Sequence, residues 1–277
     1  MATNTRRGFI KAAGAVGLGT AAALAPELSA SAATPSASGS GLLATIQQRG
    51  TINIASQLEY PPEMYIDKTT GKPAGYDVEL MKMIAKDLNV KLNIVNLPFT
   101  SIIPALLAGK ADLVMVGLVN TPARALSIAF GSGYVPYTQY VVVPANSKVT
   151  DAAQLNAPGK KITALLGSTA EDVAKSIFPK ATIEGLDQQP ALLEVASGRA
   201  DGCVVEAYLA YPFIMASGHR VRILNPSTPG AVEYGSFGLR QGDQLWLNWI
   251  DNWYAYYKAR GVIDTLYNDI VGPTLKG

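Results

Sequence analysis

Apolar and polar residues recur with two periods along the chain, and the change of period predicts the order of strands and helices. Residues 51–55 and 90–95 alternate with a period of two, which predicts strands. Between them, apolar residues recur at helical spacing from the segment 75–80 to Leu88, which predicts a helix. A polar segment with a glycine at 67–72 predicts a turn. The pattern is typical of an α/β protein.

One helix–strand pattern occurs twice. Pro-Ala-Leu-Leu at 104–107 is followed by Gly-Lys-Ala-Asp at 109–112. The same two motifs recur at 190–193 and 198–201, with Arg in place of Lys. Each copy predicts a helix that begins at the proline and ends at the glycine, followed by a buried parallel strand. The repeat predicts two similar lobes. Because open α/β sheets bind ligands beyond the carboxyl ends of their strands, we expect the residues after both strands to face one cleft.

The second copy lies between two strand-like passages near residues 140 and 237. This nesting predicts that one lobe is inserted in the other and that the two passages are hinge strands. We expect residues 42–140 and 238–277 to form lobe 1 and residues 141–237 to form lobe 2.

The N-terminal segment has the pattern of an export signal. Arg6 and Arg7 precede an uncharged stretch rich in Ala and Gly at 12–25, which is too short to span a membrane. A small-x-small pattern that ends at Ala32 provides a cleavage site. Residues 1–32 therefore resemble a bacterial twin-arginine signal peptide, and we expect the mature protein in the periplasm.

Charge and cysteine content exclude several classes of partner. The chain has 23 Lys and Arg and 21 Asp and Glu; the signal segment holds three of the former and one of the latter, which leaves 20 of each. This balance argues against nucleic acid or an anionic membrane as partner. The single cysteine, Cys203, lies in an apolar strand and excludes an internal disulfide. Residues 33–41 are rich in Ser, Gly and Pro, which predicts a flexible leader.

Several candidate binding residues follow predicted strands. Thr121 and Pro122 predict a helix start that places Arg124 beside free backbone N–H groups, a suitable site for a carboxylate. Ser168 and Thr169 follow another strand and could bind the same carboxylate. The spacing of Ser168 also fits simple helix capping.

Glu206 ends the strand of the second repeat and could accept an ammonium group. Arg124 and Glu206 together would suit a zwitterion, although each could instead be an ordinary surface charge. Tyr60 and Phe99 could cover the apolar part of a ligand, or could belong to the core. No metal-ligand cluster, Ser/His/Asp order or phosphate loop occurs in the sequence, so we expect no metal, no cofactor and no catalytic residues.

These motifs carry a resemblance that extends over nearly the whole mature chain. Gly-Tyr-Asp-Val-Glu-Leu at 75–80 resembles a signature of the family 3 extracellular solute-binding proteins, which are polar-amino-acid receptors of ATP-driven importers. The similarity continues, in the same order, through segments at 103–106, 109–112, 121–124, 167–169 and 198–201.

The resemblance implies a type II periplasmic-binding-protein fold, in which each lobe is a mixed, mostly parallel sheet flanked by helices. It also implies that Arg124 binds the α-carboxylate of the ligand with help from Thr169 and the backbone from Gly117 to Val119. Glu206 would bind the α-ammonium group, and Tyr60 would pack against the side chain. The implied partner is a membrane ABC permease, and we expect a monomer.

Three positions depart from the family pattern. The family usually has Asp at position 206, a Ser or Thr hydroxyl at 119 and Phe at 63, where this chain has Glu206, Val119 and Glu63. Loss of the hydroxyl at position 119 removes a hydrogen bond worth about 1 kcal/mol. The ligand could therefore be an altered amine-bearing acid, or an organic acid without the amine, instead of a standard L-amino acid.

Two other functions are compatible with the sequence. Cyclohexadienyl dehydratases resemble these receptors, and Glu206 could act as a general acid if burial raised its pKa. A ligand sensor for a separate signalling protein is the other alternative. The receptor is the favoured hypothesis, and the sequence does not identify its ligand or its permease.

Overall fold

The computed structural model describes residues 41–224 and 232–275, which form two lobes, each built on a five-stranded sheet. The predicted signal peptide and all but the last residue of the predicted leader lie outside the described residues. Among the residues that are described, no helix has the length and apolarity needed to cross a membrane.

The strands and helices that the sequence pattern predicts occur in the predicted order, with further elements between them. The first lobe begins with α1 (Leu42–Arg49), β1 (Thr51–Ser56), β2 (Glu59–Tyr60), β3 (Met64–Ile66), β4 (Pro73–Ala74), α2 (Tyr76–Asp87), β5 (Lys91–Asn96), α3 (Phe99–Leu107), β6 (Leu113–Val114), α4 (Pro122–Ala125) and β7 (Ala129–Tyr137). The second lobe contains β8 (Gln139–Pro144), a 3₁₀ turn (Ala152–Leu155), β9 (Lys161–Leu165), α5 (Thr169–Ile177), β10 (Thr182–Leu186), α6 (Gln188–Ala196), β11 (Gly202–Glu206), α7 (Ala207–Ala216) and β12 (Val221–Ile223). The chain then returns to the first lobe with β13 (Glu233–Leu239), α8 (Gln244–Ala259), α9 (Val262–Ile270) and a 3₁₀ turn (Gly272–Leu275).

The two large sheets have equivalent topologies. The first has the strand order β5-β1-β6-β13-β7 and the second β10-β9-β11-β8-β12. In both, the first three strands are parallel, the fourth is antiparallel to its neighbours, and the fifth runs with the first three. The α/β class with mixed, mostly parallel sheets is therefore confirmed. A small sheet of β2, β3 and β4 is added to the first lobe.

The repeated aspartate explains why both copies are built alike. The backbone N–H of Asp112 donates to the carbonyl of Asn53, and its Oδ2 accepts from the backbone N–H of Asn53 at 2.8 Å. Asp201 makes the same pair of contacts with Lys161, at 2.8 and 2.9 Å. Each aspartate thus fixes the start of its strand against the neighbouring parallel strand.

The predicted helix ends are confirmed, but one predicted start is wrong. Gly109 and Gly198 have φ angles of +71° and +73°, the left-handed conformation that ends a helix. In the first copy, the helix begins at Phe99, so that Pro104 lies inside α3. The buried side chain of Ile102 anchors the extra turn that precedes the proline. In the second copy, Pro190 lies in the first turn of α6, as expected.

The sheets divide the chain slightly earlier than the predicted lobe boundaries. Residue 140 lies inside β8 of the second sheet, and residue 237 lies inside β13 of the first. The chain therefore changes sheet at Thr138, and β13 belongs to the first sheet from Glu233 onward. The predicted boundaries fell inside β8 and β13 because a strand has the same hydrophobic pattern in either sheet.

Candidate functional site

A narrow cavity of about 30 Å³ lies between the two lobes, where β1, β6, β9 and β11 end. All eight residues singled out from the sequence line it: Tyr60, Phe99, Gly117, Val119, Arg124, Ser168, Thr169 and Glu206. The other lining residues were not predicted from the sequence: Val116, Tyr137, Leu165, Gln188, Tyr208 and Leu209. The structure therefore brings Arg124 of the first lobe and Glu206 of the second to one cavity.

Arg124 reaches from the first lobe to the second. Its Nη1 donates to the carbonyl oxygen of Val119 at 2.8 Å, and its Nη2 donates to the carbonyl oxygen of Gly167 in the other lobe at 2.9 Å. The guanidinium carbon lies 5.7 Å from the centre of the Phe99 ring. Burial lowers the pKa of Arg124, although arginine stays charged in proteins. A guanidinium has five N–H groups, so donors remain for a ligand carboxylate.

The helix that presents Arg124 is shorter than a typical helix. Thr121 and Pro122 begin it as predicted, and Thr121 Oγ1 accepts from the backbone N–H of Arg124 at 3.3 Å. The helix ends at Ala125, so few peptide dipoles are aligned to attract an anion. The guanidinium group, and not the helix terminus, is the source of positive charge here.

Ser168 caps α5, as its spacing predicts. Its Oγ accepts from the backbone N–H of Glu171 at 3.3 Å and donates to the carbonyl of Leu165 at 2.7 Å. In a capping box the Glu171 carboxylate would accept from the backbone N–H of Ser168. Here it accepts from the backbone N–H of Gly167, at 2.7 Å. The turn between β9 and α5 is thereby held in place beside the cavity.

Thr169 joins a polar network that connects the lobes. Its hydroxyl donates to Oε2 of Glu233 at 2.8 Å and accepts from Nε2 of Gln139 at 3.0 Å. Gln139 Nε2 also donates to Glu233 Oε2 at 2.9 Å. Glu233 and Gln139 begin the strands at the two crossings, so the network joins both hinges to the wall of the cavity.

Glu206 ends β11 and begins the turn into α7. Burial raises the pKa of its carboxyl group to about 7, and the nearby charge of Glu233 adds to the effect. Near neutral pH this group can accept a hydrogen bond from an ammonium group when ionised or donate one when protonated.

Tyrosines form the inner wall of the cavity. The rings of Tyr137 and Tyr208 stack with their centres 5.4 Å apart. The hydroxyl of Tyr137 donates to Oε2 of Glu63 at 2.6 Å, and the hydroxyl of Tyr60 donates to Oε1 of Gln57 at 2.5 Å. All three tyrosines are buried.

Two fully buried acids lie behind this wall. Glu63 accepts from Tyr137, and Asp77 accepts from the hydroxyl of Tyr134 at 2.7 Å. Burial and the neighbouring Asp77 raise the pKa of Glu63 well above its ordinary value, and burial raises the pKa of Asp77 to about 7. Asp77 Oδ1 has no hydrogen-bond partner among the described residues.

Most of the missed residues gave no usable sequence signal. Tyr137 belongs to an apolar strand and Tyr208 to an apolar helix, where an aromatic residue ordinarily indicates core packing. Glu63 departs from the family pattern, but its burial depends on the fold around the turn at Pro61 and Pro62. Within residues 41–224 and 232–275, no three His, Cys, Asp or Glu side chains are grouped to hold a metal ion.

Comparison with known proteins gives consistent matches. The family model of the bacterial extracellular solute-binding proteins, family 3, matches residues 52–273. A probable histidine-binding protein of Neisseria gonorrhoeae is 26% identical over 219 residues, covering 77% of this chain and 80% of that protein. A putative ABC transporter arginine-binding protein of Escherichia coli K12 is 28% identical over 225 residues, covering 79% and 89%.

A solved structure matches at higher identity. The crystal structure of an ancestral amino acid-binding protein, described as a precursor of cyclohexadienyl dehydratase, is 34% identical with a TM-score of 0.76. The match covers 83% of this chain and 99% of that one. The family model spans most of the described residues and both lobes. The chain therefore belongs to the bacterial extracellular solute-binding proteins of family 3.

Proposed function

We propose that this protein is the exported receptor of an ABC importer and that it captures an amino acid, or a related small zwitterion, between its lobes. The observation that carries the proposal is that Arg124 of one lobe and Glu206 of the other line one cavity. A guanidinium pairs well with a carboxylate, and a carboxylate with an ammonium group. The names of the relatives, which include histidine- and arginine-binding proteins, support the same class of ligand.

Ligand binding and lobe closure are coupled in this proposal. A zwitterion that pairs with Arg124 and Glu206 contacts both lobes at once, so it stabilises the closed arrangement. Exclusion of water from the cavity then strengthens both charge contacts. Tyr60 and Phe99 cover the remainder of the ligand. The closed receptor, a monomer, delivers its ligand to the membrane permease.

The test is ligand-induced thermal stabilisation with a panel of amino acids, amines and small organic acids. Arg124→Ala should weaken binding of the best ligand at least about 100-fold, because the carboxylate loses a charged, bidentate partner. Arg260→Ala is the matched control, because Arg260 follows the last residue of α8, does not line the cavity and contacts Tyr256. Unchanged affinity in Arg124→Ala would remove this residue from the site.

Export is the second part of the proposal and rests on residues 1–32. Replacement of Arg6 and Arg7 by lysine should leave the precursor inside the cell, as fractionation and immunoblotting would detect. Periplasmic accumulation of that variant would contradict a twin-arginine route.

An enzyme on the same scaffold is the second candidate. The observation that favours it is the carboxyl group of Glu206, whose pKa of about 7 suits a general acid at neutral pH. The similarity to a precursor of cyclohexadienyl dehydratase supports the same alternative. Turnover of prephenate or arogenate that is lost in Glu206→Gln would establish this function. Absence of turnover with retained amino-acid binding favours the receptor.

A further inference from the structure

The two hydroxyl groups that follow β9 line the cavity but turn their protons towards the protein. Ser168 Oγ donates to the carbonyl of Leu165 at 2.7 Å. Thr169 Oγ1 donates to Oε2 of Glu233 at 2.8 Å. A hydroxyl has one proton to donate, so each of these oxygens offers a ligand only its lone pairs. Neither side chain can therefore donate to a ligand carboxylate in this arrangement.

The Thr169 hydroxyl is held in its orientation by both hinges. The side-chain Nε2 of Gln139, at the start of β8, donates to Thr169 Oγ1 at 3.0 Å and to Glu233 Oε2 at 2.9 Å. Glu233 is the first residue of β13, and a carboxylate accepts hydrogen bonds without donating any. The proton of Thr169 is thus committed to Glu233, one of its lone pairs is occupied by Gln139, and the other is left for the cavity.

This hydroxyl lies beside the end of β11, where Glu206 is. In the second sheet β11 lies between β9 and β8, and Glu206 is paired in register with Gln139. Thr169 follows β9, so its hydrogen bond from Gln139 spans the end of the strand between them. Adjacent strands are about 4.8 Å apart. The Thr169 lone pair and the Glu206 carboxyl group can therefore contact one small group of a ligand.

An α-ammonium group is the ligand group that suits this pair. It carries three N–H donors, so it binds best where several acceptors converge. Val119, which lines the cavity from the first lobe, has an apolar side chain and supplies no acceptor there. The remaining lone pair of Thr169 is the acceptor that adjoins Glu206.

We propose that Glu233 is a positioning residue: by holding the proton of Thr169, it makes this hydroxyl an acceptor for the α-ammonium group of the ligand, next to Glu206. The inference rests on the proposed function, in which Arg124 binds the carboxylate of a zwitterion. The side chain of Thr169 is thereby assigned to the ammonium end of the ligand. The carboxylate keeps Arg124 and the backbone N–H groups at the start of α5, because the first N–H groups of a helix have no partner within it.

This arrangement selects amino acids against acids that lack the amine. A ligand without an α-ammonium group leaves the Thr169 lone pair and the Glu206 carboxyl group without a donor. A site built for a hydrogen bond rejects an analogue that cannot make it. The Thr169 hydroxyl does not compensate by donating to such a ligand, because its proton is committed to Glu233. Glu233 therefore contributes to specificity from outside the cavity lining.

The experiment compares ligands that differ only in the α-ammonium group. Isothermal titration calorimetry of the purified protein uses L-arginine, L-histidine and L-glutamine, each against the analogue in which hydrogen replaces the α-ammonium group. Competition against the bound amino acid extends the measurement to weak analogues. We expect the wild type to bind at least one amino acid about tenfold or more tightly than its deaminated analogue.

Substitutions at Thr169 distinguish an acceptor from a donor. Thr169→Val should weaken binding of the amino acid about tenfold and change that of the deaminated analogue by less than about twofold, because only the ammonium group loses a partner. Thr169→Ser keeps the hydroxyl and should bind both as the wild type does. Thr169→Val should fold, because Gln139 and Glu233 still bond to each other. A hydroxyl that donated to the carboxylate would instead make Thr169→Val lose affinity equally for both ligands.

Substitution of Glu233 tests whether it acts through Thr169. Glu233→Ala frees the hydroxyl proton for a carboxylate, so the ratio of amino-acid to analogue affinity should fall about tenfold. A general loosening of the lobes would weaken both ligands alike and leave this ratio unchanged. In Thr169→Val, the added Glu233→Ala should change the ratio by no more than about twofold. Glu184→Ala is the matched control, because Glu184 is a surface residue of the second lobe that pairs with Lys161 and does not line the cavity.

The outcomes separate the inference from the function on which it rests. A ratio that Thr169→Val or Glu233→Ala leaves unchanged, or additive effects of the two, overturns the inference, while amino-acid binding that depends on Arg124 upholds the receptor. Binding of none of the three amino acids overturns the inference, and absence of stabilisation across the wider ligand panel overturns the receptor as well. A ratio that falls in both variants, without additivity and not in Glu184→Ala, supports the inference.

Discussion

The two lobes have the same scaffold but contribute opposite charges. Each has five strands in an equivalent order, and each fixes the start of its third strand with the repeated aspartate. The first lobe then contributes Arg124 to the cavity, and the second contributes Glu206. A repeated framework therefore supports two unlike ends of a binding site, because the framework residues lie at the start of the strands and the binding residues follow their ends.

The two aspartates differ in their surroundings. The side chain of Asp112 is 2% exposed and pairs with Arg49, whereas that of Asp201 is 33% exposed and pairs with Lys160 at 2.7 Å. The Asp112 carboxylate is buried although its partner Arg49 is exposed, so loss of its contacts should cost more than loss of a surface pair. The equivalent contacts should therefore have unequal effects on stability.

The largest expected effect tests this inequality. Asp112→Ala should lower the free energy of unfolding by about 2 kcal/mol, because it removes the buried acceptor of the Asn53 backbone N–H and of Arg49. Asp201→Ala should lower it by about 1 kcal/mol. Urea titrations monitored by circular dichroism would measure both. Equal losses would show that the lobes depend equally on their aspartates.

The pH dependence of stability distinguishes the two binding charges. The ordinary pKa of a glutamate is 4.5, and that of Glu206 in the folded protein is about 7. The folded state therefore keeps a proton that the unfolded state releases between these values, so stability falls as pH rises from 4.5 to 7. In Glu206→Gln, the loss of stability between pH 4.5 and pH 7 should be smaller than in the wild type by on the order of 2 kcal/mol.

The guanidinium of the other lobe is the control for this measurement. Arg124 does not titrate in this range, so Arg124→Ala should keep the slope of the wild type. Thermal unfolding between pH 4.5 and pH 8 measures all three proteins. An unchanged slope in Glu206→Gln would contradict the raised pKa of this half-buried carboxyl group.

The smallest expected effect concerns the contact between the lobes. Glu233→Gln replaces the carboxylate that accepts from Thr169 and Gln139, so the free energy of unfolding should fall by about 1 kcal/mol. Glu184→Gln is the matched control, since it removes a charge from an exposed pair with Lys161 and should change stability by less than about 0.5 kcal/mol. A Glu233→Gln protein as stable as the wild type would show that the network does not hold the lobes together.

The sequence predicted local structure well where one physical signal was sufficient. Glycines with positive φ ended both repeated helices, and the capping residue Ser168 began α5. Pro104 misled the prediction because apolar packing extended α3 past a residue that usually begins a helix. The predicted lobe boundary fell inside β13 instead of before it, because a strand has the same hydrophobic pattern in either sheet.

For the cavity, the sequence identified residues at the strand ends but not those that come from elsewhere. Tyr137, Tyr208 and Gln188 line it from a strand and two helices whose composition resembles ordinary core. Their role depends on which faces the two lobes turn towards each other. No local pattern contains that information.

The amino-acid sequence by itself determined the α/β class, the duplicated helix–strand unit and the opposite charges that follow its two copies, because periodicity, helix ends and side-chain chemistry act over a few residues. Only the tertiary structure decided that Glu63 is buried behind Tyr137, that Glu233 contacts Thr169 and that Arg124 reaches the second lobe. These contacts join residues far apart in the chain, and burial, which sets their energies and pKa values, exists only after the lobes have packed.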